Sequence, residues 1–341
     1  MPRQKLIKPM EARSVDEVPV GPEWQYEPKW DGFRCLAFRD GEKIDLVSKS
    51  GQSLTRFFPE LVAGLLKLKA KTFILDCEIV VPEGPEFSFN ALLQRLHPAA
   101  TRVQKLSIET PALLIVFDCL LNDRGADLLN TELKARRRAL ETFAKRYLGS
   151  QEMVRLSPAT GDVKVALKWF AKVGNALDGI IAKRLDRPYD AGARTAMVKI
   201  KNHRTADCVV GGFRYNEGKG VVGSLLLGLY DKRGLLNHVG FTSALKAEEK
   251  PLLTKKLEKL IGPPGFTGSK PGGPSRWSTE RSAEWQPLRP KLVVEVNYDH
   301  FSGERFRHGT RIVRWRPDKS PTQCSLEQLK QKRANVAQIL S

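Results

Sequence analysis

The 341-residue chain has no apolar run long enough to span a membrane as a helix. Its longest apolar stretches, Ala112 to Phe117 and the glycine-broken Val221 to Tyr230, fall well short of the ~20 residues required. The opening MPRQKLIKPM lacks the apolar core of a signal peptide, so a cytoplasmic protein with no membrane partner is expected. Cysteine is scarce and scattered: Cys35, Cys77, Cys119, Cys208 and Cys324 make no CxxC pair and no Cys/His cluster. Neither a zinc site nor a disulfide framework is indicated, and small core positions suit all five. There are no internal repeats, and the only low-complexity piece is the Pro/Gly/Ser loop from Gly262 to Ser275. A hydrophobic fraction of 41% excludes bulk disorder, and the length gives a prior of about two domains.

Negative charge is also in short supply. Against 57 Lys and Arg stand 38 Asp and Glu, a net charge of +19. The excess is uneven: residues 1–200 hold 32 basic and 25 acidic residues, and residues 201–341 hold 25 basic and 13 acidic. A polyanionic partner is implied, and nucleic acid leads because no basic amphipathic helix sits beside an anchor.

Apolar alternation predicts strands at Phe33 to Phe38, Lys43 to Ser48, Phe73 to Val81, Ala112 to Leu120, Gly179 to Arg184 and Ala196 to Lys201, with a hairpin turn at Asp40-Gly41. Three- and four-residue spacing predicts helices at Pro59 to Leu68, Asn90 to Leu96, Thr131 to Tyr147 and Val163 to Val173. The mixture points to an α+β fold of antiparallel sheets and helices. After Lys201 come short strands around glycine-rich turns: Cys208 to Tyr215, Val222 to Tyr230, Leu236 to Thr242, Lys291 to Tyr298 and Arg311 to Arg316. One helix is expected at Ala247 to Leu260 and another at Ser325 to Leu340. That texture suggests a small OB-fold β-barrel, an architecture common in nucleic-acid binding. The expected domains are 1–203 and 204–341.

The run Glu27-Pro28-Lys29-Trp30-Asp31-Gly32-Phe33-Arg34 places a lysine in a short segment between two strands, beside an acid and a glycine that admits close backbone approach. A lysine amine is a nucleophile only when neutral, so such a site must disfavour its charge. Taken alone, the pattern serves equally as a hairpin turn with solvated charges. Glu78 and Asp178 are lone acids in apolar settings, which are either satisfied core groups or hard-cation ligands. Lys199 and Lys201, two apart, share one strand face, as a solvated edge would also arrange. Phe117 reads as the end of a buried strand. Lys183 lies five residues beyond Asp178, on the opposite face of a regular strand, so both line one cleft only if a bend or strand end intervenes.

The order of these segments is more specific than any one of them. After Lys29 come Ser48-Lys49-Ser50-Gly51, Leu75-Asp76-Cys77-Glu78, Phe117-Asp118, Asp178 through Lys183, Lys199-Ile200-Lys201 and Arg314 through Lys319. The series resembles the nucleotidyltransferase motifs of ATP-dependent DNA ligases, nearest to the bacterial LigC type and the ligase domain of LigD. The resemblance implies ATP as cofactor, a covalent AMP on Lys29, and magnesium or manganese held by Glu78 and Asp178. It also implies nucleotide contacts from Glu27, Arg34, Lys49, Glu78, Phe117, Lys183, Lys199 and Lys201, with Phe117 stacking on adenine and the two strand lysines meeting the triphosphate. Their charge near Lys29 would help keep its amine neutral. Arg316 and Lys319 would belong to a mobile OB domain that closes over ATP.

Departures from the family pattern are Asp178 where glutamate is usual, Lys49 where arginine is usual, and Met197 where tryptophan is common. The implied reaction is sealing of 5′-phosphate/3′-hydroxyl nicks in duplex DNA by a bacterial, nucleoid-associated enzyme of DNA repair. An RNA ligase or an mRNA-capping guanylyltransferase is the alternative. A minimal two-domain monomer is expected, with any repair polymerase or end-binding protein supplied as a separate partner.

Overall fold

The computed structural model describes residues 7–149, 152–172, 177–201, 204–218, 220–272, 284–329 and 340. The chain separates into two compact units between residues 202 and 203, with Leu340 counted in the first.

In the first unit, β1 (Arg13–Ser14) and β2 (Trp24–Lys29) precede the hairpin of β3 (Phe33–Asp40) and β4 (Lys43–Ser48). The hairpin is found as expected, but Asp40 pairs with Lys43 and the turn residues are Gly41 and Glu42, with Gly41 at φ 60°, a conformation that glycine adopts without a Cβ clash. There follow α1 (Pro59–Leu66), β5 (Thr72–Val80), the two-residue strands β6 (Pro82–Glu83) and β7 (Glu86–Phe87), and α2 (Phe89–Gln94). Then come α3 (Ala100–Glu109), β8 (Leu113–Leu121), α4 (Leu133–Tyr147), β9 (Val154–Leu156), α5 (Val163–Lys172), β10 (Gly179–Arg184) and β11 (Met197–Lys201). Val173, the expected end of α5, lies outside the described residues.

Two larger sheets result, ordered β4-β3-β5-β8-β9 and β1-β11-β10-β2, with β6 and β7 paired as a separate two-stranded sheet. All pairings are antiparallel except β8 with β9 and β1 with β11. Strand β3 is buried on both faces, which explains its unbroken apolar run. Cys35 and Ala37 join the large core with Phe73, Val116 and Leu140, while Leu36 and Phe38 pack with Met10, Tyr189 and Met197 toward the second sheet. The sequence patterns missed β2, which carries Pro28 and charges, and α3, whose buried stripe is only Val103 and Ser107.

The second unit runs β12 (Arg204–Tyr215), β13 (Val222–Tyr230), β14 (Leu236–Thr242), a 3-10 turn at Ala247–Glu249 and α6 (Lys250–Glu258). The single helix expected there is thus a turn followed by a helix that starts at Lys250 with Pro251 in its first turn. Strands β15 (Gln286–Pro287), β16 (Val293–Tyr298), β17 (Phe301–Ser302), β18 (Arg305–Phe306) and β19 (Arg311–Trp315) complete it. The main sheet is an open path, β14-β13-β12-β16-β19, and among the described residues no strand ladder joins β14 to β19. The closed barrel expected from the strand pattern is therefore not found. Near the two ends, the Thr310 N–H donates to the Phe241 carbonyl at 3.2 Å and the Thr310 carbonyl accepts from the Thr242 hydroxyl at 2.8 Å.

The helix expected over Ser325 to Leu340 appears as a 3-10 turn at Leu326–Leu329; residues 330–339 lie outside the described residues. Leu340 packs against the Trp30, Val80, Ile115 and Leu177 cluster of the first unit. Among the described residues no helix is long and apolar enough to cross a membrane.

Candidate active site

Lys29 is the last residue of β2 rather than part of a free connection, and its backbone pairs with Gly179 at the start of β10. The Asp178 N–H donates to the Lys29 carbonyl at 3.0 Å, and the Asp178 carboxylate returns to form an ion pair with the Lys29 ammonium. Gly179 stands at φ 145°, and a Cβ there would lie 2.0 Å from the Ile200 carbonyl oxygen. No other residue fits, and this glycine is the strand end that the five-residue spacing from Asp178 to Lys183 demands. Beyond it, Lys183 lies within β10 opposite Gln25.

Gly32 plays a similar part on the other sheet. A Cβ there would come 2.1 Å from the Ile79 carbonyl, and the Gly32 N–H donates to Glu78 Oε1 at 3.0 Å. Glu78 lies within the central strand β5, directly opposite Arg34 of β3. Burial pushes its carboxyl up to about 7, against the opposing pull of Arg34 and Lys29.

Glu27, Lys29, Arg34, Glu78, Phe117 and Lys183 line one cavity of about 190 Å³, together with Pro28, Trp30, Ile181 and Met197. Six of the expected site residues thus converge from both sheets. Lys183 donates to Glu27 Oε2 at 2.8 Å in a pair buried on both sides, and Gln25 holds the other Glu27 oxygen at 2.8 Å. Phe117 does not end its strand; it is the fifth residue of the nine-residue β8. The Lys183 ammonium and the Arg34 guanidinium each lie 4.7 Å from its ring centroid, close enough for cation–π attraction.

Sequence reasoning missed the support beneath Arg34. The buried Asp76 carboxylate accepts both Arg34 Nε and Nη2 at 2.6 Å, and the Tyr189 hydroxyl donates to the same carboxylate. Asp76 stands two residues before Glu78 on β5, so period-two spacing was a usable signal. Tyr189, in a loop, had none.

The other expected contacts lie outside the cavity lining. Lys199 and Lys201 do share a face of β11, opposite Ile181 and Gly179. Burial first, then the charges of Lys29, Lys201 and Lys49, push the Lys199 ammonium below its ordinary range. Lys49 is exposed and paired with Glu11 at 3.0 Å. Arg316 and Lys319, in the second unit, both bond Asp207, at 3.0 and 2.7 Å.

A two-sheet cleft that gathers a lysine, two acids and further cations is suited to polyphosphate chemistry, and known proteins identify its class. Residues 9–201 match the family described as "ATP dependent DNA ligase domain", and residues 218–319 match "ATP dependent DNA ligase C terminal region". DNA ligase C2 of Mycolicibacterium smegmatis is 42% identical, the match covering 95% of this chain and 94% of that one. DNA ligase C of Mycobacterium tuberculosis is 39% identical over 96% and 95% of the two chains. The crystal structure of the ligase domain of M. tuberculosis LigD superposes with a TM-score of 0.50 at 28% identity, covering 94% of this chain and 99% of that one. The class is therefore an ATP-using nucleotidyltransferase. The chain belongs to the ATP-dependent DNA ligases, and it is an enzyme.

Proposed function

We propose that this ligase seals 5′-phosphate/3′-hydroxyl nicks in duplex DNA through an AMP bound covalently to Lys29, as a step in DNA repair. The observation that carries the reading is the placement of the Lys29 amine at the cavity that Glu27, Arg34, Glu78, Phe117 and Lys183 line. To react, Lys29 must give up its proton and release Asp178, the carboxylate within reach to take that proton. Nζ then attacks the α-phosphorus of ATP, a nitrogen–phosphorus bond forms and the bond to pyrophosphate breaks. AMP passes to the 5′-phosphate of the nick, and attack by the 3′-hydroxyl joins the strand and expels AMP.

The donor set fits a hard divalent cation. Asp178 and Glu78 offer carboxylate oxygens of the kind magnesium and manganese prefer, and the raised Glu78 pKa is that of a buried acid without enough positive charge nearby. Such an ion, when bound, supplies neutralisation of phosphate charge. The roles of this chain's own residues follow from their contacts. Asp76 fixes Arg34 for the nucleotide, and Glu27 with Lys183 is a buried pair that adenine or phosphate must meet without breaking. Adenine stacking on Phe117 requires one of its two cations to yield a face. Lys199, Lys201 and Lys49 serve the triphosphate from outside the cavity.

On this reading residues 1–203 form the adenylation domain and residues 204–341 an OB-type module whose sheet stays open. Arg316 and Lys319 assist departure of pyrophosphate. The enzyme acts as a monomer, and a polymerase or end-binding protein comes from a separate chain.

Mass spectrometry of the purified protein tests the central step. A fraction heavier by one AMP, lost in Lys29→Ala together with sealing, is the expected result. An adduct that survives Lys29→Ala overturns the nucleophile. Offering the labelled protein nicked DNA, nicked RNA or a 5′-diphosphate RNA end reads the substrate directly.

A further inference from the structure

Arg316 and Lys319 are held in an unusual way. Asp207 stands on β12, and its side chain is 13% exposed. Its carboxylate accepts Arg316 Nη1 at 3.0 and 3.1 Å and Lys319 Nζ at 2.7 Å. The remaining Arg316 nitrogens, Nε and Nη2, turn to Asp318, two residues away and 63% exposed. Asp318 is thus a contact made within the turn itself, whereas Asp207 ties that turn to the sheet across 109 residues of chain. The peptide of Asp207 is fixed in turn: its N–H donates to Gln328 Oε1 at 2.9 Å, and its carbonyl accepts Gln328 Nε2 at 3.0 Å. Gln328 is itself anchored on the Ser325 carbonyl at 2.9 Å.

We propose that Asp207 is a positioning residue for nucleotide activation: it holds the Lys319 ammonium and the Arg316 guanidinium side by side, so that they meet the leaving pyrophosphate as one preorganised pair. The proposal rests on the function assigned above to those two cations. A free lysine side chain spreads over many rotamers, and fixing it before the reaction removes that entropy from the barrier. Cations aimed in advance at developing charge also need no reorganisation as pyrophosphate departs. Asp207 never touches ATP on this account; it acts through Lys319 and Arg316. A carboxylate that merely competes with phosphate for the same cations makes the opposite prediction, because its removal frees them.

The test uses the full chain and measures two steps separately: formation of the AMP adduct from saturating ATP, and sealing of a chemically pre-adenylated nick. Asp207→Asn keeps size and loses charge. Adduct formation is expected to fall about 10- to 100-fold, the loss a hydrogen bond to a charged group accounts for, with sealing of the pre-adenylated nick within about threefold. In a background carrying both Lys319→Met and Arg316→Met the same change is expected to cost less than about threefold further, since a residue acting through those two cations has nothing left to position. Gln328→Met loosens the Asp207 peptide with every charge retained and should slow adduct formation about 3- to 10-fold. Faster adduct formation in Asp207→Asn, equal loss of both steps in it, or a parent rate in Gln328→Met overturns the proposal. If Lys319→Met itself forms the adduct at the parent rate, the role given to Lys319 is what fails. If Lys319→Met loses that step and Asp207→Asn keeps it, only the positioning role of Asp207 fails.

Discussion

At the scale of single residues, the site works by placing ionisable groups where their charge is costly and then supplying partners unequally. Glu27 with Lys183, and Asp76 with Arg34, are matched pairs, and each is buried or nearly so. Among the described residues Glu78 has the Gly32 N–H as its direct donor, and burial raises its carboxyl to about 7. The sign of the consequence follows from linkage. Above pH 4.5 the unfolded chain releases this proton while the folded chain retains it, so Glu78 costs stability progressively as pH rises from about 4.5 through 7. The metal-free protein should therefore lose stability across that window, and Glu78→Gln should flatten the loss. Adding magnesium should restore it at pH 8 in the parent but not in the variant. Melting temperatures measured with and without the ion check this, and parallel pH curves for the two proteins would remove Glu78 from the proposed metal site. Lys29 and Glu78, singled out by motif order, do line one cavity. Gly32, which donates to Glu78, and Tyr189, which donates to the Asp76 beneath Arg34, come from register and loop placement that sequence spacing does not encode.

At the scale of elements, strands with clean alternation or a tight turn were legible, and Gly179–Arg184 is found at the expected bounds. Strand β2 was not legible, because Glu27, Pro28 and Lys29 interrupt the apolar pattern for the sake of the site. Local pattern and function conflict there, and tertiary pairing with β10 decides the outcome. The second unit carries its own internal conflict in His238 of β14. The ring is 6% exposed and packs edge-on to Phe266, with centroids 5.3 Å apart. Burial first, and the charges of Arg305 and Arg214 second, push its pKa down to about 3 from 6.5. A depressed value means that the unfolded chain takes up this proton before the folded one does. The stability that neutral His238 permits is complete above pH 6.5 and is lost as pH falls toward 3. At pH 4 the loss is about 3 kcal/mol by the same linkage. His238→Phe keeps a ring against Phe266 and removes the titration, so acid unfolding followed by tryptophan fluorescence should move to lower pH. An unchanged acid limb would mean that another buried group sets it.

At the scale of the whole molecule, a net charge of +19 has to be reconciled with a fold that already pairs many of its cations internally. Among the described residues, Arg136 is buried against Asp118 and Arg95 against Glu60, and neither is accessible to DNA. Each such pair withdraws one acid with one cation, so the net excess of +19 is unchanged and is carried by the cations of exposed elements. β19 is an edge strand of the second unit, with Arg311 exposed and Arg314 held at 2.7 Å by Glu295, and Lys256 lies 5.4 Å from the Trp315 ring centre. Each cation that neutralises a phosphate releases condensed counterions, so affinity for DNA should fall as a power of salt concentration. If about six phosphates are neutralised, binding of a nicked duplex should weaken about 10³-fold between 50 and 200 mM salt. Arg311→Ala should lower the logarithmic salt slope by about one while leaving adduct formation from ATP unchanged, because the first step involves no DNA. Fluorescence anisotropy over a salt series measures the slope, and gel-shifted adduct measures the first step. A slope unaffected by Arg311→Ala would move the DNA contacts off β19. A flat salt dependence in the parent would mean that the basic excess serves something other than the phosphate backbone.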